Sequence, residues 1–134
     1  MSTEENAVAI NSLEAFKVAQ ELKSETVSAE GITVTIRQIA IGDLNNFLFE
    51  TTNRLAIEKK KADEDPEYVS TYNPGIILLA KCLAFANGEP MFSSEEEGVD
   101  FLSKCQPRLI RKLMKASQDL NPYTDEQVEE VAKN

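Results

Sequence analysis

The segment Ile76-Ile77-Leu78-Leu79-Ala80-Lys81-Cys82-Leu83-Ala84-Phe85-Ala86 constrains this chain most, being apolar on nearly every side with one charge. A surface helix shows an apolar stripe, whereas a helix that is apolar all round is buried on most of its circumference. Asn73 suits the N-cap and Pro74 the first helical position, where a missing N–H costs nothing. Asn87-Gly88 is expected to stop the helix, since Gly accepts a left-handed C-terminal conformation. Ser93-Ser94-Glu95-Glu96-Glu97 then carries a doubled capping-box signal for another helix. The core is expected here.

The other helices follow from spacing. Ser12 is a candidate cap for a thin amphipathic stripe through Leu13, Phe16, Ala19 and Leu22. Residues 1–11 are polar and expected to fray, and 12–30 reads as an arm or exchanged helix. Gly42-Asp43 is expected to open the next helix, with Asp43 as its cap and Leu44, Phe47, Leu48, Thr51 and Leu55 on one face. Phe49 lies well off that face and Ile57 nearly opposite it. Such a second apolar patch marks either a protein partner or a helix sandwiched between two neighbours. Val99, Phe101, Leu102 and Cys105 supply a short helix, and Pro107 starts another with Leu109, Ile110, Leu113, Met114 and Leu120 on one face. Asn121-Pro122 ends it, and Thr124 with Gln127 predicts a last short helix anchored by Val128 and Val131.

One stretch reads differently. Ile32-Thr33-Val34-Thr35-Ile36-Arg37-Gln38-Ile39 alternates strictly and is rich in β-branched residues, so it predicts a strand. A lone strand is unstable. It pairs with Thr26-Val27-Ser28 across a turn at Glu30-Gly31, pairs between subunits, or stays a single extended segment. The expected fold is mainly α: a small single-domain bundle of about five or six helices, with a short strand or hairpin near 26–39.

Charge and composition narrow the function. Net charge is −9, which argues against a broad nucleic-acid or anionic-membrane footprint. The apolar run near residue 79 is too short to span a bilayer, and the first residues lack the pattern of a secretory signal, so a soluble intracellular protein is expected. With no histidine, zinc sites of the Cys/His type and imidazole acid–base chemistry are excluded. Cys82 reads as a small buried hydrophobe rather than half of a disulfide. Asp63-x-Asp65 lacks the Gly and Glu of a calcium loop, so it reads as a solvated turn. No phosphate loop or nucleophile elbow is present. A non-enzymatic binding protein with no cofactor is expected.

The sharpest electrostatic feature runs from Lys104 to Lys115, where Arg108, Arg111, Lys112 and Lys115 crowd one helix face with no acid among them. It reads either as local neutralisation against Glu95, Glu96, Glu97 or Asp100, or as a docking face for an acidic partner or a second subunit. No aromatic residue is interleaved to stack bases. The candidate contact residues are therefore Phe49, Ile57, Arg108, Arg111, Lys112 and Lys115.

Several soft motifs coincide: Asn87-Gly88-Glu89-Pro90-Met91-Phe92-Ser93 before an acidic helix start, Asp119-Leu120-Asn121 closing a leucine-bearing helix, and Val128-Glu129-Glu130-Val131-Ala132-Lys133-Asn134. With the strand-like stretch before Gly42-Asp43, this pattern resembles the tail assembly chaperones of long-tailed, siphovirus-type bacteriophages. The chain departs from that family in carrying Pro122 where Gly commonly follows the Leu-Asn pair. The resemblance implies a small, mainly helical protein in the cytoplasm of the infected bacterial host, absent from the finished virion. It implies binding to the tape-measure protein, recruitment of tail-tube protein, and homo-oligomer formation. It also implies a longer product made by ribosomal frameshift, and Ala132-Lys133-Asn134 can be encoded with a slippery A-AAA-AAC run. The competing reading is a small acidic inhibitor or adaptor of DNA-mimic type, acting on a basic partner.

Overall fold

Ile36 and Leu83 face each other across two antiparallel strands, and that pairing changes the architecture. The computed structural model describes residue 7 and residues 9–123. Within these, the elements in order are α1 (Leu13–Ala19), β1 (Ser24–Ala29), β2 (Ile32–Arg37), α2 (Ile41–Glu64), α3 (Pro74–Cys82), β3 (Leu83–Ala84), α4 (Glu95–Leu102) and α5 (Pro107–Leu120). The three strands form one antiparallel sheet in the order β1-β2-β3.

The expectation of a mainly α bundle is thus corrected: the described residues form five helices and a three-stranded antiparallel sheet, a mixed α/β domain. The error lies in the apolar run. Its helix stops at Cys82, and Leu83-Ala84 extends to pair with Thr35 and Ile36. Periodicity cannot separate a buried helix from a buried strand in a continuous apolar run. What decides is the open edge of β2, whose backbone groups need partners once Ile36 is fully buried. Asn87-Gly88 therefore serves a tight reversal instead of a helix cap, with Gly88 at φ 90° and Phe85 N–H donating to the Glu89 carbonyl at 2.8 Å.

The β1–β2 hairpin forms within one chain, in the register Val27 opposite Val34 and Ala29 opposite Ile32. Its two-residue turn puts both Glu30 (φ 50°) and Gly31 (φ 81°) in the left-handed region, the geometry that suits the twist of a hairpin. Three predicted caps are in place. Ser12 accepts from Ala15 N–H, Asn73 from Ile76 N–H and Ser94 from Glu97 N–H, at 3.0, 3.2 and 3.1 Å. Asp43 is not a cap: α2 starts earlier, behind Ala40, and Asp43 sits in its first turn where the helix dipole favours an acid. The predicted helix beyond Thr124 lies outside the described residues.

The core gathers Ile36, Phe47, Leu48, Leu78, Leu79 and Leu83 with Leu102, Ile110 and Leu113. Burying each such side chain contributes about 1.5–3 kcal/mol. α4 and α5 both pack on α3, and α5 also lies against the hairpin. Helix α2 spans about 36 Å at the helical rise, yet beyond Thr51 it buries only Glu58. Helix α1 buries none of its residues.

Candidate functional site

The six predicted contact residues do not form one site. Phe49 and Ile57 stand on the outer side of α2, 55% and 50% exposed, so no neighbour within the described chain sandwiches that helix. On α5 the basic face is divided by its own intramolecular partners. Arg108 Nε lies 3.8 Å from Glu30 Oε1 at the hairpin turn, and Lys112 Nζ donates to the Ser28 carbonyl at 2.6 Å. Lys115 pairs with Asp119 at 3.1 Å one turn along. Arg111 is exposed and has no ion-pair or hydrogen-bond partner among the described residues. Of the acids expected to neutralise this stretch, Asp100 does so, at 3.3 Å from Lys104. Glu95 instead meets Lys81 at 3.0 Å, and Glu97 turns back to accept from the Ser93 amide at 3.3 Å and from its hydroxyl.

The contact with Ser28 has a backbone logic. With Ala29 and Ile32 closing the turn, alternate residues Ser24, Thr26 and Ser28 direct their N–H and C=O groups to the free edge of β1. Lys112 occupies one of those carbonyls, a charged side chain covering part of an edge that would otherwise template pairing.

A groove of about 800 Å³ runs between α2, the segment entering α3, and α4. Each helix contributes one face at the same spacing. Phe47, Glu50, Thr51 and Arg54 recur at i, i+3, i+4 and i+7 on α2, as do Glu96, Val99, Asp100 and Ser103 along α4 and its C-cap. Ile76 and Ile77 line it from α3. The floor is apolar and the rim is acidic. Arg54 is committed elsewhere: Nη2 lies 3.2 Å from Glu58 Oε1, and the guanidinium sits 5.5 Å from the centre of the Tyr72 ring. At the floor Thr51 is 2% exposed, and its Oγ1 has no hydrogen-bond partner.

Sequence reading missed this groove. Each spacing was visible, but only the fold brings three separate segments together.

Just beyond the groove, Glu58 is 6% exposed on α2 and takes a hydrogen bond from the Tyr68 hydroxyl. That bond, with help from Arg54, holds the carboxyl below its ordinary value of 4.5 against the opposing effect of burial. The same bond raises the Tyr68 hydroxyl above 10.0. Among the described residues no cluster of three or more His, Cys, Asp or Glu is placed to hold a metal ion. No described helix is long and apolar enough to cross a membrane. No family model matches the chain, and neither curated proteins nor solved structures yield a match.

Proposed function

We propose that this protein is a tail assembly chaperone of a long-tailed bacteriophage, which binds the tape-measure protein, keeps it soluble and helps recruit tail-tube subunits. In this reading it works in the cytoplasm of the infected host, as a homo-oligomer, and is absent from the finished virion. It binds; it does not catalyse. One observation supports the reading above others: large apolar side chains stand exposed on two helices of a chain with net charge −9. Leu13 and Phe16 on α1 are 70% and 56% exposed, and Phe49 and Ile57 add a second patch on α2. A holdase needs apolar contact area that stays soluble because charge surrounds it. Repeated copies along a long helical client would multiply weak contacts.

Co-expression with the tape-measure protein of the same genome tests this. The long protein should turn soluble and co-purify; if it stays insoluble and unbound, the reading fails. A second reading, an acidic inhibitor or adaptor acting on a basic partner, is favoured by the acidic rim around Glu50 and Glu96. It predicts binding to a DNA-processing enzyme that weakens steeply with salt.

A further inference from the structure

We propose that the groove between α2, the start of α3 and α4 takes one amphipathic helix of a partner protein, apolar on the face it buries and flanked by lysine or arginine. This rests on the chaperone reading only in expecting a helical client.

The groove's chemistry selects the occupant. Phe47, Ile76, Ile77 and Val99 supply an apolar floor, and the paired helical faces beside it match the way an amphipathic helix lies in a groove. Four acids, Glu50, Glu95, Glu96 and Asp100, face one base, Arg54, whose charge is taken up by Glu58. Glu95 and Asp100 have Lys81 and Lys104 as partners, whereas Glu50 and Glu96 have none among the described residues. The helix dipole accounts for acids in the first turn of α4, but not for Glu50 in the interior of α2. Thr51 lines the same groove, and its buried hydroxyl has no hydrogen-bond partner, a costly state. The chain's own α1 fits poorly, because its one base, Lys17, is offset by Glu14.

The test uses the full chain and two synthetic helical peptides with the same leucine–alanine face, one flanked by lysines and one by glutamates. Binding is read by fluorescence anisotropy at low and high salt. The lysine peptide should bind about tenfold tighter or better, and Glu50→Lys/Glu96→Lys should reduce its affinity by about five- to tenfold. Glu14→Lys/Glu21→Lys, on and just after α1, changes the net charge equally and should leave the affinity within about twofold. Circular dichroism and urea midpoints confirm that both variants fold, since all four side chains are exposed. Equal binding of the two peptides, or equal loss in both variants, overturns the proposal. So does a self-association that Glu50→Lys/Glu96→Lys abolishes, because the groove would then hold a second copy. If the wild type keeps the tape-measure protein soluble and the groove variant does so equally well, the chaperone role stands and the groove assignment falls. If the wild type fails there but selects the lysine peptide through the groove, the assignment stands and the phage reading falls.

Discussion

The side-chain oxygen of Asn121 accepts the backbone N–H of Ile39 at 2.8 Å, joining the end of α5 to the end of β2. The amide nitrogen of the same side chain reaches the Arg37 carbonyl, the Ser117 carbonyl and Cys82 Sγ at 3.3, 3.2 and 3.2 Å. One buried residue therefore ties sheet, α3 and α5 together. Asn121→Ala should cost about 2–4 kcal/mol in urea unfolding, because buried backbone groups lose their partner. A loss below about 1 kcal/mol would mean that water replaces the amide.

Gly98 lets α4 close onto α3. A Cβ there would lie 2.8 Å from both Ala80 Cβ and Phe92 Cδ2. Gly98→Ala gains about 1 kcal/mol of helix propensity but should still destabilise by about 1–3 kcal/mol, since neither neighbour is a flexible chain end. A variant more stable than wild type would show that the two helices separate freely.

The Glu58–Tyr68 bond carries a sign in pH. Glu58 is depressed below 4.5, so its contribution is fully present above that pH and is lost as pH falls through the folded value. Tyr68 is raised above 10.0, so its contribution is present below that pH and fades as pH climbs through the folded value. Wild type should be more stable than Glu58→Gln at pH 7, and the gap should narrow toward pH 3. Parallel stability curves for the two proteins would refute the coupling.

The two thiols should react in order. Burial pushes Cys82 up to about 12, and it is inaccessible, while Cys105 is half-buried. Iodoacetamide at pH 8 should label Cys105 in the native protein and Cys82 only on unfolding, as read by peptide mass spectrometry. Early labelling of Cys82 would mean that the α3–β3 junction opens locally.

Phe49→Asp and Ile57→Asp should each change unfolding free energy by less than about 0.5 kcal/mol, the range expected of exposed positions, while reducing oligomerisation or client binding. If either variant unfolds outright, the outer face of α2 belongs to a core.

Much of the chain was legible because the relevant physics is local. The caps Ser12, Asn73 and Ser94, the proline at the start of α5 and the Glu30-Gly31 turn each depend on a few neighbouring residues. Leu83-Ala84 was not legible, since its conformation is dictated by an edge of β2 that is distant in sequence. Glu58 opens a charge-dense stretch that gives no local sign of burial, and its burial depends on Tyr68 returning from the loop that follows α2. The basic face of α5 was visible as charge, but its targets at Ser28 and Glu30 belong to an element at the other end of the chain.

The late partners of β2 impose an order on biosynthesis. The β1–β2 hairpin closes through a tight turn and can form as soon as it leaves the ribosome. Its second edge stays open until Leu83-Ala84 has emerged, and the far end of β2 waits for Asn121. Closing such large loops costs entropy that grows slowly with length, so waiting time, more than free energy, governs this step. A nascent chain stalled before residue 83 carries a hairpin with both edges bare, and that interval is when this protein itself most needs protection from aggregation.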